Sequence, residues 1–227
     1  MRKRSRYAYH ADVTLDDTFF STIDTEEKAY ILGFIAADGC VLAQYNRLTI
    51  VLHPRDRDIL ERIRACLHSQ NILREYAGKW PSVKWTTTSE RLIHDLGHYG
   101  IVSKKSLTLA YPDLPKPLER HYIRGLWDGD GHISRHDIVL KGSQETTANV
   151  QRVIHDATGC LLRITPQNNI FALRGSGRDA PAVRWLYEHA TIAMARKLNA
   201  YEAFWKDGTV IRHSLKPARP RQLRFFF

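Results

Sequence analysis

The chain repeats itself once, and the repeat governs everything else. Residues 122–131 read Tyr-Ile-Arg-Gly-Leu-Trp-Asp-Gly-Asp-Gly, and residues 30–39 read Tyr-Ile-Leu-Gly-Phe-Ile-Ala-Ala-Asp-Gly. Both begin Tyr-Ile, hold a glycine at the fourth position (Gly33, Gly125), follow it with two large apolar residues and close on Asp-Gly (Asp38-Gly39, Asp130-Gly131). Each copy is long enough for two to three helical turns and apolar on nearly every side until its end, so it predicts a buried helix. A glycine inside such a helix costs roughly 1 kcal/mol relative to alanine, which marks a place where another backbone comes close. The other copy is the natural neighbour. Two helices packed through their glycine faces carry Asp38 and Asp130 side by side to one end, and two carboxylates at a seam make a site for a hard cation.

A repeat offset of 92 in a chain of 227 residues predicts two similar halves of about 100 residues each. The expected boundaries are a basic N-terminal arm at 1–23, a first half at 24–110, a proline-rich linker at 111–118, a second half at 119–205 and a basic tail at 206–227. In the first half the acids of Asp24-Thr25-Glu26-Glu27 open the motif helix. Strands are expected at 41–43 and 48–52 around a four-residue turn, then a helix at 58–69, strands at 72–76 and 83–88, and a helix at 90–98. The second half repeats the order with strands at 132–135 and 138–141, a helix through Val150, Val153 and Ile154, strands at 161–165 and 170–174, and a helix at 181–190. The offset drifts from 92 to about 88 along the unit, as shorter turns require.

Each half is therefore αββαββα, an α+β fold whose four-stranded antiparallel sheet lays one face on helices and leaves the other free. Taking alternate positions, the free faces present Cys40, Leu42, Gln44, Thr49, His53, Arg74, Tyr76, Lys84 and Thr86 from the first half, and His132, Ser134, His136, Lys141, Arg163, Thr165 and Arg174 from the second. These are hydrogen-bonding and basic groups suited to base edges and phosphates. Lys and Arg number 34 against 24 Asp and Glu, a formal charge of +10, which points to a polyanionic partner. A small-molecule enzyme finds no support, since there is neither a glycine-rich phosphate loop nor a nucleophile triad.

Three cysteines without a C-x-x-C pair argue against a disulfide framework and a cysteine zinc site, and fit a reducing compartment. No apolar run approaches the ~18 residues of a membrane span, and the basic start (Arg2, Lys3, Arg4, Arg6) is not followed by a signal-type apolar block. The expected setting is intracellular, cytoplasmic or nucleoid-associated, with no membrane partner. His94 and His98 lie four apart on an expected helix, but the sequence offers no third ligand and zinc is not expected there. The tail carries Arg212, Lys216, Arg219, Arg221 and Arg224 before Phe225, Phe226 and Phe227, either a flexible arm tracking a phosphate backbone or a solvated terminus without a role.

Residues 31–39 and 123–131 match, position by position, the nine-residue LAGLIDADG signature, and each heads the same order of elements. Over roughly 24–205 the chain resembles the single-chain, two-motif LAGLIDADG homing endonucleases. The resemblance implies that the motif helices form the interface of a pseudo-twofold saddle, with its sheets in the major groove of double-stranded DNA and its acids facing the minor groove. It implies that Asp38 and Asp130, at the eighth motif position, bind a divalent metal, with the backbone carbonyls of Ala37 and Gly129 as further ligands. Mg²⁺ or Mn²⁺ would support cleavage and Ca²⁺ binding alone. The activity implied is site-specific scission of both strands by a monomer, in the setting of intron or intein mobility. The alternative is a non-cleaving member, an RNA maturase or a DNA-binding regulator. A basic residue near each cleft is also implied, and alternation on the fourth strand selects Lys84 and Arg174 as catalytic candidates, with Gln44 or His132 ordering water. The first copy departs at the sixth position, where Ala36 replaces the acid present as Asp128, a position nearer the helix packing than the metal.

Overall fold

The computed structural model describes residues 12–103 and 109–206. The clustered cations at the start of the chain (Arg2, Lys3, Arg4, Arg6) and the basic and Phe-rich tail from Arg212 to Phe227 lie outside the described residues.

The first motif becomes helix α1 (Glu26–Asp38), opened by the Thr25 side chain, which accepts the Lys28 N–H, and by two acids at its positive end. It passes without a loop into β1 (Gly39–Leu42), Gly39 being already extended. β2 (Arg47–Leu52), α2 (Arg57–Cys66), β3 (Arg74–Tyr76), β4 (Ser82–Thr88) and α3 (Glu90–His98) complete the half, and Ser89 caps α3 by accepting the Leu92 N–H. The second motif becomes α4 (Lys116–Asp130), running straight into β5 (Gly131–Ile133). Then follow β6 (Asp137–Gly142), α5 (Gln144–Thr158), β7 (Arg163–Gln167), β8 (Ile170–Ser176), α6 (Ala180–Tyr187) and α7 (Ala195–Phe204).

The sheets are antiparallel and ordered alike, β1-β2-β4-β3 and β5-β6-β8-β7. Their registers also correspond, with Gly39 opposite Ile50 and Ile50 opposite Trp85, as Gly131 is opposite Leu140 and Leu140 opposite Leu173. This is the two-sheet α+β architecture expected of the repeat. Alternation sends Val41, Leu48, Ile50, Val83 and Trp85 into the core under the first sheet, and Ile138, Leu140 and Leu173 under the second. The motif helices are buried at the centre.

Helices α2 and α6 end three residues before the expected positions 69 and 190, β7 lies two residues beyond the expected 161–165, and three further differences have a local cause. α4 starts at Lys116, inside the stretch read as linker, because Pro117 stands in its first turn, where the missing N–H costs nothing. α7 adds a helix to the second half that the αββαββα pattern lacks; only Lys197 and Tyr201 of it are buried, so it shows little apolar periodicity. β5 stops at Ile133, since Ser134 turns the chain by accepting the His136 and Asp137 N–H groups on its Oγ. Among the described residues no helix is long and apolar enough to cross a membrane.

Candidate functional site

The two motif helices cross at their glycines. A Cβ on Gly33 would stand 2.0 Å from the Tyr122 carbonyl oxygen, and one on Gly125 would stand 2.0 Å from the Tyr30 carbonyl oxygen. The contact is reciprocal, as a twofold relation between halves demands. Toward the helix ends, a Cβ on Gly129 would lie 2.3 Å from the Ala37 methyl and 3.4 Å from Oδ2 of Asp38. The half-buried Asp38 carboxylate therefore rests on the last turn of α4, whose final residue is the exposed Asp130. Both helices present their negative ends here, adding to the two acids. A donor set of carboxylates and helix-end carbonyls consists of hard oxygens and fits a divalent cation such as Mg²⁺. Asp130 also borders a cleft of about 270 Å³ with Ala36, Ala37, Leu126, Lys141 and Thr146.

A third charged group stands behind the seam. Lys197, 1% exposed, donates from Nζ to the carbonyls of Trp127 and Asp128 (2.5 Å each) and Gly131 (2.8 Å). Burial pulls its pKa down to about 8, against the opposing pull of Asp128, Asp38 and Asp56. It thus caps the negative end of α4 while leaving the Gly129 carbonyl outside this set. The preceding residue, Arg196, pairs through Nε with the buried Asp56 at 2.8 Å, so α7 fastens the turn before α2 as well as the end of α4. Sequence reasoning missed Lys197. Its partners are backbone carbonyls, which no residue letter marks, and the repeat has ended before it.

The sixth motif position of the second copy, Asp128, is wholly buried and accepts from Tyr30 Oη (2.7 Å), Tyr187 Oη (2.6 Å) and the Met194 N–H (2.6 Å). Burial raises its pKa, with Lys197 and these donors acting in the other direction. Arg124, also wholly buried, donates to the carbonyls of Ile192 and Leu186 (3.0 Å each) and to Oε1 of Glu26 (2.6 Å), with its guanidinium over the Tyr30 ring. Burial opposes the charge on Glu26, yet the Thr191 N–H and Arg124 hold its pKa below the usual carboxylate range. These charges bind α4 to α1 and to the segment joining α6 to α7.

The outer sheet faces form matching rows. In the first sheet Cys40, Thr49 and Thr86 lie in one row and Val51, Lys84 and Arg74 in the next. In the second the corresponding rows are His132, Val139, Arg174 and Arg163, and then Lys141, Ala172 and Thr165. Lys84 and Arg174, selected together from the sequence, consequently stand in different rows. Arg174 corresponds to Thr86, and Lys84 to Ala172, whose row carries its cation one strand over at Lys141. Arg47, opposite Thr88 and Leu42, joins the same face and was missed.

Several residues expected to face DNA lie off the strands. Gln44 sits in the 3-10 turn Ala43–Tyr45, His53 accepts the Arg55 N–H in the turn after β2, and Ser134 and His136 form the β5–β6 turn. Thr86, expected to be open, is 7% exposed with its Oγ1 3.1 Å from that of Thr49, so cross-strand pairing occupies it. Cys40, Arg74, Tyr76, His132, Lys141 and Arg163 are exposed, while Leu42, Thr49, Lys84, Thr165 and Arg174 are partly covered. At the β3–β4 tip Trp80 is 81% exposed beneath the Lys79 ammonium.

Residues 25–108 match the family model described as a LAGLIDADG-like domain. Among solved structures, the homing endonuclease I-WcaI bound to its DNA recognition sequence is 16% identical, aligned over 79% of this chain and 90% of that one, with a TM-score of 0.55. The I-SmaMI LAGLIDADG homing endonuclease bound to cleaved DNA is 10% identical over 79% and 87%, also at 0.55. Full-length DUF199/WhiA from Thermatoga maritima is 15% identical at a TM-score of 0.52, and the match takes in 82% of this chain but 64% of WhiA. No curated protein matches the chain.

Proposed function

We propose that this chain, LAGLIDADG-like by its first half and by its two-sheet fold, is a site-specific endonuclease that cuts both strands of duplex DNA with Mg²⁺ or Mn²⁺. The observation that carries this reading is the reciprocal glycine crossing, which delivers Asp38 and Asp130 to one seam between two basic sheet faces. Asp38 and Asp130 would hold the metal, with the carbonyls of Ala37 and Gly129 beside them. When bound, the metal supplies an activated water and neutralises charge on the phosphate and the leaving oxygen. The chain's own cations do the rest. Lys84 in one sheet, and Lys141 and Arg174 in the other, draw the phosphate backbone onto the saddle, while His132 and Gln44 stand near the strand ends as water-ordering groups. Lys197 fixes the end of α4 and hence the position of Asp130. Ca²⁺ would support binding without cutting, and the protein acts as a monomer because both halves are in one chain.

A second reading is a nucleic-acid-binding protein that does not cut. It is favoured by the similarity to WhiA beside that to the homing endonucleases, since a shared fold does not fix an activity. The test is incubation of the purified protein with a diverse duplex library in Mg²⁺, followed by sequencing of new ends. Recurrent paired ends within one motif are expected, and Asp38→Asn or Asp130→Asn should remove them while leaving binding of that motif intact. Full cutting by both variants would refute the metal assignment. Enrichment of a sequence without new ends would establish the binding protein.

A further inference from the structure

Helix α3 carries a second group of metal-ligating side chains that the acidic seam does not use. His94 and His98 are one turn apart and exposed, and their rings meet edge to face with centroids 4.4 Å apart. The sequence offers them no evident third ligand, but the structure does. Among the described residues, His94, Asp95 and His98 are the one group of three such side chains whose ligand atoms all lie within 4.8 Å of one another. Oδ1 of Asp95 lies 3.5 Å from Nδ1 of His94, too far for a strong hydrogen bond. Its Oδ2 is buried and has no hydrogen-bond partner, on a side chain that is 13% exposed. A buried carboxylate oxygen without a donor is unfavourable unless a cation or water meets it. The two histidines also border a cavity of about 460 Å³, whose walls include Val41, Asn46, Glu90 and Ile101.

We propose that His94, Asp95 and His98 form a binding site for a transition-metal dication of the zinc class, distinct from the seam at Asp38 and Asp130. Two imidazole nitrogens and one carboxylate oxygen are the donors such ions prefer, and the adjoining cavity leaves room for water as a fourth ligand. Mg²⁺, which demands oxygen ligands, is disfavoured here. The bound ion ties together side chains of the last two turns of α3. The segment that follows α3 docks on the edge strand through Ser103 Oγ, which donates to the Val41 carbonyl at 2.9 Å.

The test uses the full chain stripped of metal with a chelator, then titrated with Zn²⁺ in a calorimeter and with Co²⁺ by visible absorption. One equivalent of Zn²⁺ should bind, with Co²⁺ giving d–d bands of nitrogen and oxygen ligation. Zinc at 100 times its Kd should raise the thermal midpoint by roughly 5 °C or more. His94→Ala and His98→Ala should each weaken binding at least tenfold; both rings are exposed, so neither change disturbs the core. Asp38→Asn and Asp130→Asn should leave zinc affinity unchanged, which separates this site from the proposed catalytic one whether or not DNA is cut. Absence of saturable binding, or undiminished binding by the doubly substituted His94→Ala, His98→Ala protein, overturns the proposal. So does zinc binding that is lost in the Asp38 or Asp130 variants instead.

Discussion

Replacing Gly33 by alanine places a methyl group where α4 already has backbone. The new carbon would lie 2.0 Å from the Tyr122 carbonyl oxygen, 2.9 Å from its carbon and 3.0 Å from the Leu126 nitrogen. Carbon and oxygen approach comfortably only to about 3.3 Å, so α4 has to retreat by roughly 1 Å. No side-chain rotation relieves the clash, because all three atoms are backbone. The retreat also loosens the packing of Ile31, Phe34, Ile123 and Trp127, all wholly buried. Overpacking of this kind costs about 1–3 kcal/mol, and the weakened dispersion along the helix pair puts this case at the upper end. Alanine returns up to ~1 kcal/mol of helix propensity, leaving a net loss of about 2 kcal/mol or more.

In a chain of this size each kcal/mol moves the thermal midpoint by about 2–4 °C, so Gly33→Ala should lower it by roughly 5 °C or more in thermal unfolding followed by circular dichroism. Gly97 in α3 provides the contrast. A Cβ there meets no heavy atom within 4 Å, and its φ is not positive, so Gly97→Ala gains propensity alone and should raise the midpoint by about 2–4 °C. If Gly33→Ala melts at or above the unmodified protein, the close crossing of α1 and α4 is refuted, and with it the convergence of Asp38 and Asp130.

Lys197→Met removes the cation from three carbonyls and leaves Asp128 buried without it. A loss of about 3 kcal/mol is expected, read as a midpoint lower by roughly 6–12 °C, and an unchanged midpoint would show that the Lys197 charge is not needed there. His121, beside Glu26 at 3.5 Å, has its pKa pushed from 6.5 down to about 4 by burial and by Arg124 and Arg120. The folded state therefore binds that proton less readily than the unfolded chain. Its contribution is complete above pH 6.5 and is lost as pH falls toward 4, by about 1–2 kcal/mol once partial exposure is allowed for. His121→Gln should flatten that part of a stability–pH curve, and an identical slope in the variant would refute the assignment.

Where residue identity itself encodes the contact, the sequence was sufficient. A glycine crossing needs the same small residue in both helices, so Gly33 and Gly125 stand out as a repeat, and alternation located Thr49, Lys84, Lys141 and Arg163 on the outer faces. Alternation fails where a strand ends. Continuing a period of two carries Gln44, His53, Ser134 and His136 into turns, which are set instead by the left-handed Asn46, by His53 Nδ1 accepting the Arg55 N–H, and by the Ser134 Oγ bonds. It also says nothing of what covers a side chain, as Thr86 illustrates. Asp95 escapes the sequence reading because the position after His94 is tested there only for the Glu of a zinc-hydrolase helix, while in the fold this shorter carboxylate comes within reach of both imidazoles.

The two motif helices are equivalent in backbone and unlike in chemistry, and the difference has a single origin. At the second and sixth motif positions α1 carries Leu32 and Ala36, where α4 carries Arg124 and Asp128. Buried charges of that kind are tolerable only with dedicated partners: α1 supplies Tyr30 and Glu26, and α6, α7 and the segment between them supply the rest through Leu186, Tyr187, Ile192, Met194 and Lys197. Two identical subunits would have to bury the same charges twice and supply those partners twice. One chain needs them once. α7 then serves both halves, with Arg196 on Asp56 of the first and Lys197 on the end of α4 in the second. The sheets diverge in the same way, Lys84 answering to Ala172 and Thr86 to Arg174. On the proposed function such faces read unlike half-sites, so a palindromic duplex would satisfy one of them and leave the other mismatched.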